Sequence, residues 1–580
     1  MAVPEIGLPS NDDVGCVYDG KTFPRDDEKK RNNRSSSEST VGFPGDTVLD
    51  DTSPIIYHYL TFESTLPRPS NNISITSTKP PPPSPDLKKY TSPFNWPERR
   101  KRFIIYLSCL ATVVTAYSAG SYSPATQQMS AEWEINEVAI LVGITTFCFG
   151  FAIAPMVLAP FSEINGRYPV FVAAGLLYVF SQLCCAVTHS YPGMVVARFF
   201  VGCGGSVFST MVGGVVSDLY HAEGRNTPMA LFSGSALVGT GLGPLCSGFI
   251  AQYLNWRWVF WVQVITCGCT IAAVALFFQE TRGSILLSRK AVSLNKWYED
   301  REKAGYVGFD IPMSSEGEKM ESQRIRWKVK SDEERESIAK MISISVYRPF
   351  HLLCTEPVVF FFSLWVAFSW AVLYLTFGAV PLVFQTSHNF SLQEANSVFA
   401  ALCIGAILST ILSIYQDRIL ARYLALPAKN DENPSWLRRN IDLSSPEGRL
   451  YFACIESSLL PLGLFWFGWT SFSSVPWPVP ALAVICATMG IYSIYLATFN
   501  YLADAYHRYA SSALAAQSFC RNILGGVFPL VTTALFRNLT FQGAASLLGG
   551  LAVVLTAVPW VLVFFGPRIR ARSRFASEGP

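Results

Sequence analysis

Glu163 and Arg167 stand four residues apart in the polar turn Phe161-Ser162-Glu163-Ile164-Asn165-Gly166-Arg167-Tyr168, which separates two long apolar runs. On a helical turn that spacing puts a carboxylate and a guanidinium on one face. Gly166 lies between them and permits a left-handed or closely packed turn. A second carboxylate, Asp218, closes the second apolar run after the turn. An ion cluster of these three groups would hold one face of a helical assembly shut and break when that face opens. The plainer reading is a set of ordinary interfacial charges. On the cluster reading, Glu163→Gln or Arg167→Ala abolishes function without loss of protein.

Arg198 and Arg521 lie inside apolar runs. An arginine in hydrocarbon costs about 3 kcal/mol or much more, so it faces a protein interior or a wet cavity. The modest role for both is capping carbonyls between packed helices. Glu456 is the acid that falls clearly within a run, whereas Asp218 and Asp504 sit at run ends. Tyr117, Gln263, Trp370, Tyr374, Asn500 and Gln517 offer rings and amides suited to a flat apolar compound, although aromatic residues at such positions more often pack in a core or face lipid. The chain has no metal-ligand spacing, no Gly-rich phosphate loop and no nucleophile elbow, so neither a metal nor a cofactor is expected.

The elements that must position these groups are membrane spans. Half of the residues are hydrophobic and 15% are charged, where a soluble chain carries nearer a quarter charged. The apolar residues form runs of about 20, enough to cross a ~30 Å hydrocarbon core. Twelve spans are expected, at about 103–124, 137–160, 169–188, 192–216, 228–252, 257–279, 354–378, 394–415, 449–471, 478–500, 512–536 and 543–566. The reading is an all-α membrane protein with two six-helix bundles, 99–283 and 353–567. A disordered tail covers 1–98, a charged loop 284–352 and a short tail 568–580. The net charge of +3 is too small to argue for nucleic acid.

Arg99-Arg100-Lys101-Arg102, the charged middle segment and Arg568, Arg570, Arg572 and Arg574 share one side. The positive-inside rule makes that side, with both termini, cytosolic. Asn389 and Asn538 head sequons that would face outward and accept glycans; Asn33 and Asn72 head sequons on the cytosolic side and are discounted. The halves echo each other. Asp218-Leu219-Tyr220-His221 matches Asp504-Ala505-Tyr506-His507, and Gln416-Asp417-Arg418 with Arg422-Tyr423 matches Glu163 with Arg167-Tyr168. Duplicated bundles of this kind enclose a central site and rock about it.

At these residues the chain resembles the major facilitator superfamily, and within it the fungal twelve-span drug:proton antiporters. The resemblance rests on Ser162-Glu163-Ile164-Asn165-Gly166-Arg167, on Arg198 with Gly202, and on Gly239-Thr240-Gly241-Leu242-Gly243-Pro244 with Gly248. Trp256-Arg257-Trp258, Glu280-Thr281-Arg282-Gly283 and Pro446-Glu447-Gly448-Arg449-Leu450 are similar to strings of the fungal group. Ala159 and Tyr168 depart from the pattern, where Gly and a second basic residue are usual. The resemblance implies gating roles for Glu163, Gly166, Arg167, Asp218, Asp417 and Asp504. It places Arg198, Glu456 and Arg521 on a proton or substrate pathway, and it makes the span with Gly239, Gly243, Pro244 and Gly248 a seal against leak.

The expected function is export of small hydrophobic or amphipathic organic compounds (drugs, fungicides or a self-made toxin) by a monomer in the plasma membrane, or in a vacuolar one, with protons as the coupling ion. A proton-independent facilitator or uptake carrier is the alternative; a polyamine exporter fits less well, since it would want several buried acids. A membrane enzyme would need a catalytic cluster that the six scattered histidines do not supply. A non-transporting nutrient receptor is the remaining rival.

Overall fold

The computed structural model describes residues 53–69, 80–221, 224–312, 320–335, 337–425 and 445–576. Asn33 and Asn72 lie outside them. In the first half, α1 (Glu98–Gly120), α2 (Glu137–Asn165), α3 (Arg167–Val187), α4 (Tyr191–Leu219), α5 (Asn226–Tyr253) and α6 (Arg257–Phe277) form six spans. Next come α7 (Gly283–Lys303) and α8 (Ile338–Thr355). The second half holds α9 (Pro357–His388), α10 (Phe399–Ala425), α11 (Pro446–Thr470, with a 3-10 first turn), α12 (Pro478–Tyr506) and α13 (Ala510–Arg570).

Eleven of these helices are long and apolar enough to cross a membrane. The last has 61 residues, about 90 Å if straight and roughly three times the hydrocarbon thickness. Thr540 breaks it, with φ 61° and ψ 168°, so α13 has the length for two crossings and the described residues hold twelve candidate spans. An even number returns both ends to one side, called here the terminal face.

Within the first bundle α5 packs on α1, α4 on α2 and α3, and α6 on α3; in the second, α9 and α11 pack on α13, and α12 on α11. The seam is made by α5 against α10 and α2 against α13. It is crossed near the terminal face, where Tyr492 Oη donates to the Ala230 carbonyl at 3.1 Å. At mid-depth Thr145 Oγ1 donates to the Gly526 carbonyl at 2.8 Å. Near the opposite face Ser123 Oγ donates to the Phe377 carbonyl at 3.0 Å. Close approach at the seam needs small residues: a Cβ on Gly248 would lie 2.5 Å from Asn396 Cβ, a distance no packing tolerates.

The chain is not all helix. Inside the expected tail and loop lie five strands: β1 (Ile56–Tyr59), β2 (Arg68–Pro69), β3 (Phe309–Pro312), β4 (Met320–Gln323) and β5 (Ile325–Lys328). β1 runs parallel to β5, with Ile56 opposite Ile325, and β3 is antiparallel to both β2 and β4. Residues 53–69 are therefore not a featureless tail. They are strapped to the middle segment over a small core of Leu60, Leu294, Tyr298, Phe309, Ile325 and Trp327. Strands of two to four residues are too short to show a period of two, and the partners lie far apart in sequence.

Glu302 on α7 clamps this cassette through Arg324 (2.8 Å) and Arg326 (2.7 Å), its own side chain 8% exposed. Burial raises the Glu302 pKa, but the hydrogen bonds from Arg326 and Arg324 outweigh it and hold the carboxyl below its usual value. A depressed acid contributes stability above the ordinary carboxylate range and loses it as pH falls through the depressed value. Breaking such a clamp leaves two guanidiniums without their acid. Hydrogen exchange should show Glu302→Ala exposing the amides of 325–328 at least tenfold faster, with the spans unchanged; equal exchange contradicts the clamp.

Candidate functional site

The turn after α2 is shaped by its glycine. Gly166 has φ +98°, and a Cβ there would run into the Glu280 carboxylate. Glu280, at the end of the sixth span, accepts from Arg167 N (2.9 Å) and Tyr168 N (3.2 Å), the free amides that open α3. A carboxylate at a helix N-terminus satisfies orphan donors and meets the positive end of the dipole. This links the third span to the sixth. Tyr168 adds a second tie, its hydroxyl donating to the Ala275 carbonyl at 2.9 Å.

Arg167 then turns inward. Its Nε donates to Asp218 Oδ2 at 3.2 Å, both side chains 7% exposed, and its Nη1 donates to Ser162 Oγ at 2.8 Å. Asp218 also accepts from Arg282 Nη1 at 3.3 Å and Thr281 Oγ1 at 3.4 Å. Three segments thus meet on one buried carboxylate, and Arg167 adds a fourth through Ser162. Glu163 stays outside the cluster: it is half-buried and has no ion pair among the described residues. The expected cluster of Glu163, Arg167 and Asp218 is therefore corrected: Arg167, Asp218 and Arg282 form it, and Glu280, not Glu163, is the carboxylate at the turn, as helix cap. Helical spacing alone missed this, because the helix breaks at Gly166 and the i, i+4 relation does not cross the break.

The second bundle repeats the arrangement with a different arginine. Arg449 Nε donates to Asp504 Oδ2 at 3.0 Å. Arg449 opens the ninth span as Arg167 opens the third, and each follows a glycine, Gly448 and Gly166. Gly448-Arg449 thus stands at the start of the ninth span where Gly166-Arg167 stands at the start of the third. The Asp417 side chain lies outside the described residues. The clamp from the third to the sixth span also has its partner: Glu447, 4% exposed, binds Arg570 Nη2 at 2.8 Å and Nε at 2.9 Å. The acid sits at the end of the sixth span in one half and at the start of the ninth in the other, and its donors change from backbone amides to a guanidinium. Arg449 does one more thing. Its Nη1 donates to Asn226 Oδ1 at 2.6 Å, at the start of α5 in the other bundle.

Deeper in, Arg198 is fully buried. It donates to the Gly143 carbonyl (3.3 Å) and the Ser118 carbonyl (3.2 Å) and lies 4.7 Å from the Tyr122 and Phe147 ring centroids. The carbonyl-capping role is thus present, yet its Nη2 has no partner. Gln263 is fully buried inside a network with Gln182 (2.8 Å) and Ser121 (2.9 Å), which continues to Ser118 and Tyr178. Tyr178 and Gln182 went unseen in the sequence because a lone Tyr or Gln carries no spacing signal. Arg521 is 2% exposed between Trp370 and Tyr495. Tyr374 packs beside it from α9, and Gln517 lies one turn earlier. Tyr117 is half-buried with its hydroxyl 3.5 Å from Ser247 Oγ, and Asn500 is half-buried. Glu456 is half-buried at the end of a short helical turn in the ninth span.

Gly239 and Gly243 pack on α1, where added Cβ atoms would meet Ala116 and Ser121; Pro244 abuts Gly120 of α1, and Gly248 faces α10's entry turn. The span is thus shared between intrabundle packing and the seam. At the face opposite the termini, Arg257 is neutralised by Glu132 at 2.7 Å, which explains a cation where the loops are otherwise poor in them. Asn389 and Asn538 are exposed.

A sequence profile of the Major Facilitator Superfamily matches residues 108–529. The efflux pump atB of Aspergillus terreus is 35% identical over 73% of this chain and 83% of its own length. The transporter paaT of Penicillium rubens is 32% identical over 84% and 82%, and the multidrug transporter FLR2 of Candida glabrata 27% over 84% and 77%. Among solved structures, the proton:xylose symporter XylE aligns over 81% of this chain and 97% of its own, with 14% identity and a TM-score of 0.54.

Removing one partner of a buried ion pair costs about 3–5 kcal/mol. Arg167→Ala should therefore lower transport more than tenfold, with Asp218→Asn behaving alike, while Glu163→Gln has a clearly smaller effect at equal abundance. Rates per molecule by vesicle flux decide it; a Glu163→Gln loss as large as that of Arg167→Ala contradicts the cluster drawn here.

Proposed function

This chain belongs to the Major Facilitator Superfamily, and from that premise we propose that it exports small hydrophobic or amphipathic organic compounds by alternating access. Relatives named as efflux pumps and multidrug transporters support the direction of transport. The observation that carries the mechanism is Arg449, which holds Asp504 in its own bundle and Asn226 in the other. A guanidinium that bridges a carboxylate and an amide across a seam is a latch: the contact to Asn226 breaks when the bundles part, while the charge stays neutralised by Asp504. Rocking therefore never leaves Arg449 without its acid, which keeps the two states close in energy.

In this reading the terminal face is cytosolic, since it gathers Arg99, Arg100, Arg568 and Arg572, and the protein resides in the plasma membrane. The proton gradient drives export. Glu456, the acid that lies within a span, is the candidate carboxylate for proton exchange in this reading, and the protein works as a monomer.

A yeast host stripped of its own pumps and expressing the chain should accumulate several-fold less of some members of a dye panel: Nile red, rhodamine 6G and fluorescein. Accumulation is read by flow cytometry at two external pH values, with and without a protonophore. Loss of export under the protonophore supports antiport, and export that survives it supports a facilitator. Accumulation equal to that of cells lacking the chain, for every dye, overturns the exporter reading.

A further inference from the structure

We propose that the seam holds a site for organic anions, with Arg521 as the residue that grips an aromatic carboxylate; this rests on the exporter reading and narrows its substrates. Arg521 lies 11 residues into α13, roughly 16 Å in from the terminal face by helical rise. It is 2% exposed, and its Nε and Nη1 have no hydrogen-bond partner among the described residues. Its guanidinium carbon sits 4.5 Å from the Trp370 ring centroid and 4.9 Å from that of Tyr495. Ring faces attract the cation but accept none of its N–H groups in a directed bond. One turn earlier on the same face, Gln517 is 2% exposed and its Oε1 is unpartnered.

Arg198 presents the same situation from the other bundle, fully buried with Nη2 unpartnered. Cys148 on α2 lies within electrostatic reach of both guanidiniums and packs against Gly526 across the seam. Two permanent cations thus flank one seam, and neither has an acid partner among the described residues. A buried charge without a partner is retained where something else supplies the opposite charge. The planar fork of arginine matches a carboxylate with two parallel bonds. Trp370 and Tyr495 make the surroundings of the guanidinium aromatic, and Gln517 Oε1 offers an acceptor for a phenol or alcohol. An inside-negative membrane potential then favours outward movement of the bound anion.

The test uses the full chain purified in nanodiscs and three probes that share one frame: 2-naphthoate, 2-naphthalenemethanol and 2-naphthalenemethylamine. Binding is read by ligand-dependent thermal shift at neutral pH. Naphthoate should bind at least tenfold more tightly than the alcohol, with the amine weakest. Arg521→Gln should level acid and alcohol, whereas Arg521→Lys, which keeps the charge and loses the fork, should keep part of the preference. Each variant's own unfolding temperature reports its folding, and the wild-type and Arg521→Lys ranking decides the matter if Arg521→Gln does not fold. Equal binding of acid and alcohol, no binding of naphthoate, or an undiminished preference in a folded Arg521→Gln overturns the proposal. The cell panel above is independent. Export of neutral dye without carboxylate preference leaves the exporter reading intact and removes this one; carboxylate binding without export does the reverse.

Discussion

A buried carboxylate needs a cation within reach, and at the ends of membrane helices that need organises much of this molecule. Asp218 gathers Arg167, Arg282, Thr281 and, through Arg167, Ser162. Glu280 holds the start of α3 from the sixth span, and Glu447 with Arg570 ties the ninth span to the twelfth. Each pair fixes the terminal ends of spans that also pack along their length. These clusters tie the spans together within each bundle, and in the alternating-access reading that leaves the motion to the seam.

The seam is built differently. It has small residues and single hydrogen bonds to backbone carbonyls, such as Thr145 to Gly526 and Ser123 to Phe377. Bonds of that kind are worth about 1 kcal/mol net each, and they re-form with water when the surfaces separate. Arg449 joins the two regimes, because its strong bond stays inside the second bundle while its weaker one crosses to Asn226. Buried ion pairs at the bundle ends and light contacts between bundles are what alternating access requires of a twelve-helix chain.

The spans were legible because twenty-residue apolar runs are a long, redundant signal. Even the last pair, fused into one 61-residue helix, was separable by the polar stretch around Asn538. The partners of Asp218 were half legible: Arg167 was visible from its motif, but Arg282 and Glu280 act through tertiary contact across more than 60 residues. The duplication was evident at Asp504, yet its arginine was sought near 418–422 because chain order suggested it. Three-dimensional order selects Arg449, at the start of the equivalent span. The cassette of β1 to β5 was invisible, since two- to four-residue strands pairing across the first bundle leave no periodic trace. The aromatic and amide side chains could be named as buried-span residues, but which face each presents depends on helix rotation, a tertiary property.

Whether the two bundles rock against each other about the Arg449 contact is the claim on which the account stands. Spin labels at His221 and His507, exposed residues that end the matched fourth and tenth spans on the terminal face, report their separation by double electron–electron resonance. Two distance populations, with Asn226→Ala shifting weight to the longer one and the distances within each bundle unchanged, are the predicted result. One narrow population that neither Asn226→Ala nor Arg449→Ala alters would contradict it.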